Sequence, residues 1–106
     1  MEKELFNQIR LEFTNSEPQV KPGKMMSSEA ITYKDKVFAF ISRKNKMVFK
    51  LGKGFDPDTA DIEMNVFSPF KNKKPLSGWF EIDYQYNDHW KPYTEKALNL
   101  IKQEIK

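Results

Sequence analysis

Residues Lys24–Lys53, KMMSSEAITYKDKVFAFISRKNKMVFKLGK, hold the most structural information in this chain of 106 residues. Three apolar runs, Ala30–Tyr33, Val37–Ile41 and Met47–Leu51, are separated by short polar breaks at Lys34–Asp35 and Lys44–Asn45. The runs are rich in β-branched and aromatic residues and free of Pro, which is strand composition. Asp and Asn tolerate positive φ, so each break suits a two-residue hairpin turn. The stretch reads as an antiparallel meander. Strict alternation puts Val37, Ala39 and Ile41 on one face and Phe38 and Phe40 on the other. Both faces are apolar, so this strand is expected at the centre of the sheet and at least partly covered on both sides. In the third run, Met47, Phe49 and Leu51 alternate with Val48 and Lys50, as in a strand with one wet face.

The flanks supply helices. Leu5, Phe6, Ile9 and Phe13 fall on one stripe and predict a helix over residues 2–14. Ser16–Lys24, with two prolines and a glycine, reads as a linker. Met25–Met26–Ser27–Ser28 leads into the first strand, with the two Met side chains on opposite faces. Gly52–Lys53–Gly54 lacks the strand–GxxxxGK[ST]–helix context of a phosphate loop and reads as a flexible strand exit. Asp56 as cap and Pro57 at the first helical position predict a short helix reaching Glu63 or Met64. The acids there lack the frame of a Ca²⁺ loop. Val66–Phe67–Ser68–Pro69–Phe70 reads as an edge strand or extended segment, and Lys71–Pro75 as a charged turn. Trp79–Tyr86 alternates clearly, with Phe80, Ile82, Tyr84 and Tyr86 inward. Trp79, Glu81, Asp83 and Gln85 face out, the two acids opposite lysines of a neighbouring strand. Asn87 or Asp88 then caps a helix to about Glu104, with Trp90, Thr94, Ala97, Leu98, Ile101 and Ile105 as its buried stripe; Pro92 moves its start a residue or two later. The order is α–β–β–β–α–(β)–β–α, a single α+β domain over residues 1–106. Its antiparallel sheet has about four to five strands between N- and C-terminal helices.

Composition narrows function. The absence of Cys excludes disulfides and thiolate metal sites, and fits a reducing compartment. No apolar run approaches the roughly 20 residues that span a bilayer. The charged start MEKELFNQ has no apolar signal core, so the cytoplasm is the default location and no membrane partner is expected. The net charge of +3 permits an anionic partner without demanding one. His89 is the one histidine; it lacks an evident nucleophile or orienting carboxylate and reads as a surface or capping residue. Glu81 and Asp83 lie on one strand face as exposed or cross-strand-paired carboxylates rather than an acid–base pair. No catalytic, cofactor-binding or metal residue emerges, and no enzyme activity is expected.

The segments MMSSEAITYKDKVFAF, KMVFKL and PF…GWFEI, with Ala97–Leu98 in a last helix, resemble the N-terminal domain of the TfoX competence-regulator family. The resemblance covers most of the chain after Lys24. It implies a small α+β fold of antiparallel sheet and flanking helices. For some members it implies regulation of bacterial DNA uptake, with a separate C-terminal domain following; no such second domain is expected here. Ser27–Ser28 stand where the family commonly has glycines, and Asp35 where its hairpin turn usually has one. The family offers no catalytic residue to carry over. The reading is a non-enzymatic interaction or regulatory module that binds another protein through the sheet rim and the Met25–Met26 region. Its candidate contact surface is Met25, Met26, Lys36, Arg43, Lys44, Lys46, Lys50 and Trp79. The alternative is a weak nucleic-acid binder that uses the lysine-rich hairpins.

Overall fold

The computed structural model describes residues 1–68 and 76–105. Helix α1 spans Glu2–Ser16 and helix α2 spans Trp90–Glu104. Between them lie six strands: β1 (Val20–Met25), β2 (Ser28–Tyr33), β3 (Lys36–Ile41), β4 (Met47–Lys50), β5 (Asn65–Val66) and β6 (Trp79–Ile82). They form one antiparallel sheet of order β1-β2-β3-β4-β6-β5. The α+β class holds, with one strand more than the upper expectation. Pro69–Phe70 of the expected extended segment and the expected turn Lys71–Pro75 lie outside the described residues.

The additional strand is β1, which the prolines and glycine made look like a linker. Both residues have a place in it. The Gln19 carbonyl accepts from Lys34 N–H at 3.1 Å. Main-chain groups at 19, 21, 23 and 25 therefore face β2, and those at 20, 22 and 24 face outward. Pro22 sits in the outward set, so its missing N–H costs no ladder bond. Gly23 answers a close approach: a Cβ there would lie 2.5 Å from Thr32 Cγ2. Thr32 cannot swing away freely, because its hydroxyl donates to the Lys21 carbonyl at 3.0 Å. Gly23→Ala is expected to lower stability by about 1–3 kcal/mol, as overpacking does. Adding Thr32→Ser, which removes the clashing methyl and keeps the hydroxyl, should restore most of it; chemical denaturation of the two variants checks this.

Two turns are built without glycine. Met26 and Ser27 have φ of +48° and +72°, and Lys34 and Asp35 have +48° and +69°. Each pair closes a two-residue hairpin, Met25 opposite Ser28 and Tyr33 opposite Lys36. The expected turn at Lys34–Asp35 is therefore present, whereas Met26 is a turn residue and not part of an extended lead-in. The break at Lys44–Asn45 is longer than expected. Ser42 N–H donates to Lys46 O (2.8 Å) and Asn45 N–H to Ser42 O (2.9 Å), with Asn45 at φ +61°. This is a three-residue loop in which Asn45 takes the left-handed position.

The central strand departs from strict alternation. Ile31 pairs with Ala39 but Thr32 pairs with Val37, so Phe38 is an extra residue, a β-bulge. Phe38 and Ala39 consequently both join the cluster under the helices, with Phe6, Ile9, Met47, Phe49, Trp90 and Leu98. Val37 turns to the opposite face, where Ala30, Phe40, Val48 and Phe67 form a smaller cluster with Met25 and Trp79 around it. The expected grouping of Val37 with Ala39 and Ile41 fails for this reason. The expectation of cover on both faces holds, and Phe38 and Phe40 are each exposed by 1% or less.

Helix α1 buries Phe6 and Ile9, with Leu5 and Phe13 half-buried. Helix α2 buries Trp90, Thr94, Ala97, Leu98 and Ile101. Pro92 is accommodated in the first turn, where no intrahelical donor is lost. The expected helix after Asp56 is a single 3-10 turn, Pro57–Thr59, whose first turn Asp56 caps by accepting from Asp58 N–H at 2.9 Å. Strand β6 also stops early. Asp83 accepts from Gln85 N–H and starts a 3-10 segment, Tyr84–His89, although Tyr84 and Tyr86 stay against the helix-side core. The exit after β4 is tied down, since Leu51 and Gly52 N–H both donate to the Gly78 carbonyl, at 2.9 and 3.1 Å.

Candidate binding groove

One end of the sheet carries the Met26–Ser27 and Arg43–Asn45 turns. On the far face, away from the helices, this end holds a groove of about 560 Å³. Its exposed apolar surface comes from Met26 and Val66, over a floor of the buried Phe40 and Phe67 rings. Phe40 and Phe67 stack edge to face with centroids 5.2 Å apart, and Trp79 braces Phe40 at 5.6 Å. These contacts fix the floor rather than leave it to side-chain motion. Met26 is 41% exposed and Val66 40%, so the rim keeps apolar atoms in water. Arg43 and Lys44 stand on the other wall.

Beside α1 a second cleft of about 510 Å³ shares Ser27, Ser28, Ser42 and Arg43 with the first. Glu29 lies in it and bonds Arg10 at 2.9 Å and Lys24 at 3.5 Å. The Arg10 guanidinium, helped by Lys24, holds the Glu29 carboxyl below the usual carboxylate range, so it stays ionised and paired near neutral pH.

The structure divides the expected contact surface. Met25, Met26, Arg43, Lys44 and Trp79 gather on or behind the far-face groove. Lys36 stands at the opposite end of β3, roughly 20 Å from Arg43 at about 3.3 Å per strand residue. Lys46 is committed to Asp83 at 3.6 Å and Glu81 at 4.0 Å, the cross-strand pairing expected of those acids. Lys50 bonds Glu104 of α2 at 3.1 Å. Val66, Phe67 and Ser42 complete the groove and were not singled out from sequence. Val66 and Phe67 reach it only because β6 and β5 follow β4 in the sheet order, whereas Ser42 directly follows β3.

Comparison with protein-family models, with curated proteins and with solved structures gave no match. The site is therefore read from its own chemistry. Among the described residues, no three His, Asp or Glu side chains converge to hold a metal ion, and no helix is long and apolar enough to cross a membrane. His89 is the residue preceding α2 and makes no side-chain capping bond. Phe38, Phe40 and Phe49 are buried and offer no ring face on which a base could stack.

Strand addition at β1 is poorly served. Of its outward N–H groups, that of Val20 donates to Glu17 O at 3.1 Å and Pro22 has none, leaving Lys24. The opposite edge, β5, is two residues long. Both are devices that keep sheet edges from pairing. Side-chain recognition in the groove is the contact mode this end of the molecule favours.

Proposed function

We propose that this chain is a non-enzymatic binding module that takes another protein into the far-face groove, in line with its resemblance to the N-terminal domain of TfoX-type regulators. The supporting observation is the groove itself. A braced aromatic floor lies beside an exposed apolar rim and two exposed cations, in a volume within the roughly 300–1,000 Å³ usual for ligand sites. The strained turn adds to it. A left-handed Met–Ser pair costs on the order of 1–2 kcal/mol per residue, and it presents Met26 at the groove edge. Met is suited to adaptable apolar contacts.

This gives a stability–function trade. Replacing Met26–Ser27 by Asn–Gly is expected to raise stability by about 1–2 kcal/mol, because that pair prefers this turn. Binding should weaken at the same time; thermal melts and a retention assay read the two effects.

The reading is tested by retention of proteins on the immobilised chain, with nuclease treatment and raised salt. A partner kept by the wild type and by Lys36→Glu, but lost by Met26→Asp, is the expected result. Asp tolerates the left-handed turn, so that variant should fold. Retention abolished by nuclease, or indifferent to Met26→Asp, would contradict the reading.

A further inference from the structure

The geometry points to one ligand class for this surface: an extended polypeptide segment that joins apolar side chains to carboxylates. The inference rests on the binding-module reading and narrows it. The two clefts, of about 560 and 510 Å³, meet along the Ser27, Ser28, Ser42 and Arg43 ridge and together run around the end of the sheet from Phe67 to Lys3. A compact small molecule would occupy one cleft; a chain laid over the ridge occupies both.

The charges select its composition. Five charged side chains line the clefts: Lys3, Glu29, Arg43, Lys44 and Glu81. Glu29 is already paired with Arg10 and Lys24, and Glu81 with Lys46. Lys3, Arg43 and Lys44 have no opposite partner among the described residues, and all three are cations. A segment with carboxylates beside Lys3, Arg43 or Lys44 therefore gains attraction there, while a basic one meets unrelieved like charge. The exposed apolar rim of Met26 and Val66 favours a segment that also carries Leu, Met or aromatic side chains. With Pro22 guarding the β1 edge, recognition runs through side chains in the clefts and not through a main-chain ladder.

The test is selection from a displayed library of random short peptides against the wild-type chain and against the double variant Arg43→Glu, Lys44→Glu. Both sites are exposed, so the variant should keep its fold. Wild type is expected to enrich peptides that combine Asp or Glu with Leu, Met or Phe. The variant should lose roughly tenfold or more in affinity for them and enrich Lys- or Arg-bearing apolar peptides instead. Enrichment of basic or purely polar peptides by wild type, or enrichment unchanged by the charge reversal, would overturn the inference. If nothing is enriched while the wild-type chain still retains a protein in a Met26-dependent manner, the inference falls and the module reading stands. If that retention fails as well, both fall.

Discussion

Trp90→Ala is expected to destabilise the chain by about 3–5 kcal/mol, the range for removing a large buried aromatic. Trp90 is fully buried at the start of α2, and Tyr84 packs edge-on against it at 5.5 Å. Its indole N–H donates to the carbonyls of Ile82 (3.2 Å) and Asp83 (3.3 Å), where β6 ends. One side chain thus fills the core and joins helix to sheet. Against a total of roughly 5–15 kcal/mol for a domain, the loss is about a fifth or more. It should appear as a fall in Tm of roughly 15–30 °C. Trp90→Phe separates the two contributions. It keeps most of the apolar burial and loses the shared hydrogen bond, so it should cost about 1–3 kcal/mol.

The second large effect lies at the bulge. Phe38→Ala should cost about 3–5 kcal/mol, because Phe38 is fully buried under the helices. Val37→Ala should cost about 1 kcal/mol or less, because Val37 is half-buried at the border of the far-face cluster. Strict alternation would set Val37 in the core with Ala39 and Ile41 and make its truncation costly. Denaturant titration of the two variants distinguishes the arrangements. Equal losses would contradict the bulge.

The bulge was illegible because Val37–Ile41 is apolar throughout. A one-residue slip shows in sequence only when it moves a polar side chain to the wrong face, and none is there to move. The α2 stripe was legible for the opposite reason: polar residues interrupt it at helical period, and the residues expected to be buried are buried, with Ile105 half-covered at the frayed end. Strand β1 was hidden by Pro22 and Gly23. Both are strand breakers in isolation, and both are explained only by their neighbour β2 and by solvent on the other side.

The groove was half-legible. Met26, Arg43 and Lys44 stand out locally as an exposed Met and a basic hairpin. That they meet Val66 and Phe67, residues distant in sequence, depends on β5 lying beyond β6. Lys46 and Lys50 looked like part of the same basic surface, but each is held by a carboxylate from β6, the residue after it, or α2. Lysine counts do not distinguish an available cation from a paired one.

A sheet whose two faces bury separate clusters, helices closing one and a groove remaining at one end of the other, is the arrangement from which every functional statement follows. Proton–proton NOEs from the rings of Phe38 and Phe40 test it directly. The Phe40 ring should show contacts to Phe67 and Trp79, and Phe38 contacts within the helix-side cluster of Ile9, Phe49 and Leu98, with no NOE partner shared between the two clusters. Both rings contacting the same cluster, or Phe40 contacting helix residues, would contradict the account.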